Sequence, residues 1–205
     1  MLRDRVKEYL LKQIQRNNLQ VGKTINLAAL ARQTQISVTP IREALSQLEE
    51  SQLIKSVPNR GFIVPELTMS EAKNLYETVS QLEILALESA AIDERLVGKL
   101  KKQQLLLQQA HSPLTRLNER FKFHDLLVEN CQNTVLMRIL DTLKSRIRFY
   151  EQLLVKDASF YENSDNQNEG IIRAIEEQNI PTAALILKMN WMLVSDYVVA
   201  QLQKK

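Results

Sequence analysis

From Ser70 to Gln203 the apolar residues recur at helical spacing, broken only by short polar punctuation at His111-Ser112-Pro113, Asn133, Asp157 to Ser159 and Asn179-Ile180. Between these breaks the pattern predicts helices at Ser70 to Ile92, Leu96 to Gln109, Leu114 to Gln132, Thr134 to Val155, Phe160 to Gln178 and Pro181 to Gln203. Helices with no strand between them can bury their apolar stripes only against one another, which dictates a bundle. Four glycines and five prolines in 205 residues leave too few turns for a strand-dense alternative.

The N-terminal third is built differently. Val6, Leu10 and Ile14 stand four apart between Arg3, Arg5, Lys7 and Lys12, so residues 2 to 17 read as an amphipathic helix with a basic outer face, stopped at Asn17-Asn18. Asn26 suits the N-cap of a short helix, Leu27 to Gln33. After a turn at Thr34 to Ile36, Ser37 caps a third helix whose buried stripe is Ile41, Leu45 and Leu48. Pro40 is tolerated in its first turn, where backbone N–H groups lack helical partners. Leu53 to Val57 and Phe62 to Val64 read as strands joined by the turn Pro58-Asn59-Arg60-Gly61. The boundary is placed at Pro65 to Met69, dividing the chain into domains 1–66 and 67–205.

Charge follows the same division. Of 27 Lys and Arg and 24 Asp and Glu, the residues up to Glu66 hold 10 and 6, the remainder 17 and 18. A basic head on a neutral body points to a polyanionic partner. One cysteine, Cys131, excludes an intramolecular disulfide framework and a Cys-pair zinc module. Met1 to Arg5 opens no apolar signal core, and nowhere do 18 uncharged apolar residues run together, so a cytoplasmic chain with no membrane partner is expected. No Gly-rich phosphate loop, Ser-His-Asp arrangement or His/carboxylate metal set can be assembled, which argues against an enzyme.

On the helix opened by Ser37, the inward stripe leaves Val38, Thr39, Arg42 and Ser46 outward. An arginine there can grip guanine O6 and N7 with two parallel hydrogen bonds, while Ser37, Thr39 and the helix N-terminus suit phosphate oxygens. Asn59, Arg60 and Gly61 form a basic hairpin tip shaped to lie along a neighbouring groove. The competing reading makes Arg42 a solvated arginine paired with Glu43 or Glu50 and the tip a plain turn.

The string Ser37-Val38-Thr39-Pro40-Ile41-Arg42-Glu43-Ala44-Leu45, then Leu48, then Asn59-Arg60-Gly61-Phe62-Ile63-Val64, resembles the winged helix-turn-helix of GntR-family regulators. Val38 departs from that pattern, which commonly has arginine after the capping serine. The resemblance implies a mainly α protein: three helices and a β-hairpin, followed by an all-α bundle. That bundle, through Leu82-Glu83, Phe123-His124, Asn133 with Leu136, and Ile171 with Ala174-Ile175, resembles the FadR-type ligand domain, known as FCD.

Many such domains hold a divalent metal on one aspartate and three histidines. Carried over position by position, the aspartate is Arg120, two histidines are Asn168 and Asn190, and His124 alone remains. A cation in place of a carboxylate and two amides in place of imidazoles are poor metal ligands, so no metal cofactor is expected. Val79, four residues before Glu83 where the family often has arginine, is a further departure.

These polar groups fall among apolar ones. His124 shares a face with Leu117, Phe121, Val128 and Cys131, with Arg120 one turn before it, while Asn190 lies with Ile186, Val194 and Tyr197. One reading has Arg120 hold a small anionic effector, helped by His124, Asn168 and Asn190, with Arg146 and Tyr150 completing the wall. The other pairs Arg120 with Glu83 or another acid and leaves no ligand. The expected whole is a homodimeric transcription regulator on a short palindromic DNA operator, modulated by a small molecule. The alternative is a constitutive repressor or architectural DNA binder whose pocket holds neither metal nor effector.

Overall fold

A computed structural model describes residues 6, 8–10, 12, 13, 21–50, 52–155 and 158–204. The expected first helix, 2–17, lies largely outside the described residues; within it Val6 and Leu10 are buried. The chain divides into two compact units, Met1–Leu67 and Thr68–Lys205.

In the first unit, helix α1 (Leu27–Thr34) is capped by Asn26, whose Oδ1 accepts from Ala29 N–H at 3.0 Å. Gln35 at φ 57 ends it in the left-handed conformation. Helix α2 (Val38–Glu50) buries Ile41, Ala44, Leu45 and Leu48. Strands β1 (Lys55–Val57) and β2 (Gly61–Ile63) pair antiparallel, with Ser56 opposite Phe62.

Both strands are shorter or shifted from the pattern Leu53 to Val57 and Phe62 to Val64. Leu53 and Ile54 are buried packing residues ahead of the ladder, and Gly61 opens β2 at φ 81. Arg60 N–H donates to Val57 O at 3.0 Å, with Pro58 and Asn59 between them and Asn59 at φ 60, the left-handed form that asparagine tolerates at a turn. A feature outside the sequence pattern is a bridge from Thr24 to Ile63, flanked by Gly22 N–H to Val64 O (2.8 Å) and Ile25 N–H to Phe62 O (2.7 Å).

The second unit contains α3 (Met69–Ser89), α4 (Glu94–Gln108), α5 (Pro113–Leu127), α6 (Thr134–Leu154), a 3-10 turn (Ala158–Tyr161), α7 (Glu162–Glu176) and α8 (Ile180–Gln203). Thr68, Asp93, Ser112, Asn133 and Asn179 cap five of these helices through side-chain oxygens. Helix α5 stops five residues before the expected Gln132. The chain turns through Val128 to Cys131, held by Cys131 N–H to Val128 O and by Asn130 Nδ2 donating to Ala91 O at 2.8 Å. The helix expected from Phe160 begins instead as the 3-10 turn, and Gln178 at φ 56 terminates α7. Helix α8 is long and apolar enough by composition to cross a membrane, yet half of its most apolar window is buried in the bundle.

Candidate DNA-reading face and buried polar centre

In the first unit, Ser37, Val38, Thr39, Arg42, Ser46, Asn59, Arg60 and Gly61 are all exposed, and Pro40 is half-buried in the first turn of α2. Arg42 makes no ion pair among the described residues, so pairing with Glu43 or Glu50 is not what orients it. Glu49 Oε1 instead accepts from Ser56 N–H at 2.6 Å, tying the hairpin to the end of α2. That bond links α2 to its hairpin, and each presents polar and basic side chains outward.

In the second unit, polar groups on all six helices, α3 to α8, and on the 3-10 turn lie buried in the core. Arg120 and His124 lie on α5 with zero exposure, both against the only tryptophan, Trp191 of α8. The Arg120 Cζ is 4.7 Å from the indole centre, and the His124 ring is 4.4 Å from it. Arg120 Nη1 lies 3.3 Å from both carboxylate oxygens of Glu151, which also accept from Tyr76 OH (2.9 Å) and Tyr161 OH (3.0 Å). Burial, reinforced by the Glu151 charge, pushes both phenols upward, so they stay protonated and donate.

Glu83 of α3 is the second buried acid. Its Oε2 lies 2.7 Å from His124 Nδ1 and accepts from Trp191 Nε1 at 2.5 Å, while its Oε1 is 2.6 Å from Lys144 Nζ. Lys144 also reaches Asp125 at 2.9 Å. Burial alone would raise Glu83, but the attraction of His124 once acid protonates it, the charge of Lys144 and the hydrogen bonds from both outweigh it and hold the carboxyl at about 2. Burial would lower Lys144, and Glu83 with Asp125 raises it instead. His124 moves down, because burial outweighs the attraction of Glu83. A neutral His124 beside a carboxylate donates from Nδ1, leaving Nε2 a lone pair.

The two asparagines form a neighbouring cluster. Asn190 Nδ2 donates to Asn168 Oδ1 (3.2 Å) and Ser164 O (2.8 Å), and Asn168 Nδ2 donates to Gln104 Oε1 at 3.1 Å. Gln104 in turn donates to Asp165 O at 2.8 Å, and Arg116 Nη2 is 2.7 Å from Asp165 Oδ2. Arg146 and Tyr150 also meet, with Cζ 5.9 Å from the ring centre, but the acidic partner of Arg146 is Glu71.

Thus the structure joins Arg120 to His124 through Trp191, and Asn168 to Asn190, while Arg146 meets Tyr150 and pairs with Glu71. Sequence reasoning missed Glu151, Lys144, Gln104, Ser164 and Arg116. For Glu151 and Lys144 the signal was present: both interrupt the apolar stripe of Leu140, Ile147 and Leu154.

The donor set does not fit a divalent metal. At the carried-over positions stand a guanidinium already facing Glu151, two amides already bonded to each other, and one imidazole, and no group of three or more His, Cys, Asp or Glu suited to a metal exists among the described residues.

The sequence model of the gntR family of bacterial regulatory proteins matches residues 2–64, and that of the FCD domain matches residues 74–190. The chain belongs to the GntR family, in the group carrying an FCD domain. The relatives it matches are transcriptional regulators. The chain is 32% identical over 148 residues to the HTH-type transcriptional regulator YdhC of Bacillus subtilis (strain 168), and 33% identical over 135 residues to the Nta operon transcriptional regulator of Aminobacter aminovorans. These matches cover 68% and 62% of this chain and only 65% and 63% of those relatives. It is 24% identical over 195 residues to the transcriptional repressor GlaR of Escherichia coli (strain K12), 89% of each chain. The fold is that of E. coli McbR/YncC (TM-score 0.78, 19% identity, 98% of both chains). It is also that of a GntR family member from Pseudomonas syringae pv. tomato str. DC3000 (TM-score 0.62, 21% identity, 99% of this chain and 86% of that one).

Proposed function

We propose that this GntR-family regulator is a cytoplasmic homodimer that binds a short palindromic duplex, α2 lying in the major groove and the hairpin tip along the adjoining groove. The observation that carries this reading is the outward set of Thr39, Arg42 and Arg60 on two elements tied together by Glu49 and Ser56. Arg42 reads a guanine, Val38 offers an apolar contact to a thymine methyl, and Ser37, Thr39 and Asn59 hold backbone phosphates. The head is small, so useful specificity needs two heads at fixed spacing. Arg42→Ala is expected to cost about 1–3 kcal/mol of binding to a duplex selected from a random pool by the wild-type chain. The thermal midpoint should not move, since Arg42 is exposed. Fluorescence anisotropy decides it: equal affinity removes Arg42 from the reading set.

For the bundle, the geometry favours a site closed by its own residues. The Glu151 carboxylate occupies the place on Arg120 that an anionic effector needs, and Arg120, His124, Asn168 and Asn190 have zero exposure, leaving no water-sized opening against them. Among the described residues each buried cation already faces an acid, which leaves no surplus positive charge there for a ligand. What supports the effector reading is that Arg120 Nε and Nη2 and His124 Nε2 have no hydrogen-bond partner. Thermal shifts against a panel of small carboxylates and phosphates separate the two. A flat panel, with no stoichiometric zinc, nickel or manganese on elemental analysis, is the expected result; a concentration-dependent rise with one anion restores the effector reading.

A further inference from the structure

We propose that the outer face of α8 is the surface on which two copies of this chain pair, antiparallel, about a two-fold axis passing near Met192. The inference rests on the homodimer reading above and adds where the contact lies.

Helix α8 is apolar around most of its circumference, a pattern that normally means burial on all sides. Its inner side is so buried: Ala183, Leu187, Trp191, Val194 and Val198 lie in the bundle core. Its outer side is not. Leu185 is 60% exposed and Met189 52% exposed, and Met192 and Leu193 are half-buried, which leaves an apolar stripe open along more than two turns.

Charge identifies the occupant. Lys188 and Asp196 are the charged residues of that helix face, one on each side of Met192 and four residues from it, and neither has an ion-pair partner among the described residues. They are eight residues apart, about 12 Å along the axis, too far to pair within the helix. In a two-fold contact residue i meets residue j of the copy and j meets i. An axis at Met192 therefore sets Lys188 against the copy's Asp196 and Asp196 against the copy's Lys188. Met192 packs on itself, and Leu185 lies toward the copy's Ala200. The face is complementary to itself in sign and in apolarity; a lipid surface would find an aspartate at the end of the stripe.

The test uses the full chain and sedimentation velocity over a concentration series. Lys188→Asp places two aspartates against each other across the axis, and Asp196→Lys places two lysines, so each variant should dissociate at least about tenfold more readily than wild type. The double variant restores opposite pairs and should dimerise like wild type. Mixing the two single variants should also produce heterodimers in which both pairs are opposite in sign. A monomeric wild type would overturn the dimer reading itself. A dimeric wild type whose single variants dimerise equally well would overturn only the assignment to α8. Unchanged far-ultraviolet dichroism in each variant separates lost pairing from lost folding, and failure of both the double variant and the mixture to recover would count against the axis at Met192.

Discussion

Glu151→Ala is expected to destabilise the second unit by about 3–5 kcal/mol, the cost of removing one partner from a buried ion pair. Arg120 would keep its charge at zero exposure with no acid facing it, and the hydroxyls of Tyr76 and Tyr161 would lose their acceptor. Aromatic contacts from Trp191 and Phe121 lessen the penalty but replace no hydrogen bond. Converting both members to apolar residues of similar volume, Arg120→Met with Glu151→Leu, should restore most of the loss, because no charge then remains to be desolvated. Urea titration of both variants is the measurement. If Glu151→Ala loses under about 1 kcal/mol, the carboxylate does not neutralise Arg120.

Acid should weaken the same core in two steps. His124 has a folded-state pKa below its ordinary 6.5, so between the two values only the unfolded chain binds the proton. Its contribution is fully present above the unfolded value and is lost as pH falls from 6.5 through the folded value. Glu83 works in the same direction lower down. Its carboxyl titrates at about 2 in the folded chain against 4.5 ordinarily, so its stabilising effect is intact above 4.5 and disappears as pH falls toward 2. That second step amounts to roughly 3 kcal/mol. Urea midpoints taken across the acid range should therefore fall twice. His124→Gln should flatten the upper fall and shrink the lower one, because His124 and Lys144 together hold the Glu83 carboxyl down and only Lys144 would remain. A wild-type midpoint that stays level from neutrality to mild acid would contradict the lowered His124.

Helical periodicity was enough to locate α3 to α8, helped by Thr68, Ser112, Asn133 and Asn179, which cap four of them at the expected breaks. It misplaced the ends where tertiary contacts decide them. Nothing local announces that Asn130 will bond Ala91 O and stop α5 at Leu127, or that Thr24 will bridge Ile63. The buried centre was half legible. Arg120, His124, Asn168 and Asn190 show as polar residues on apolar faces, and all four are fully buried. Their partners come from 22 to 64 residues away, as with Asn190 to Asn168 and Asn168 to Gln104, and pattern within one helix cannot pair helices. Arg146 and Tyr150 are near each other by spacing alone, and spacing did not reveal that Glu71 would pair with Arg146.

The position of Trp191 has a practical consequence. With a single indole in the chain, placed in Thr68–Lys205 and hydrogen-bonded to Glu83, emission excited at the red edge reports on the helical unit while the N-terminal unit stays dark. Disagreement between that optical signal and backbone dichroism during denaturation would reveal the two halves melting separately, without any label being attached.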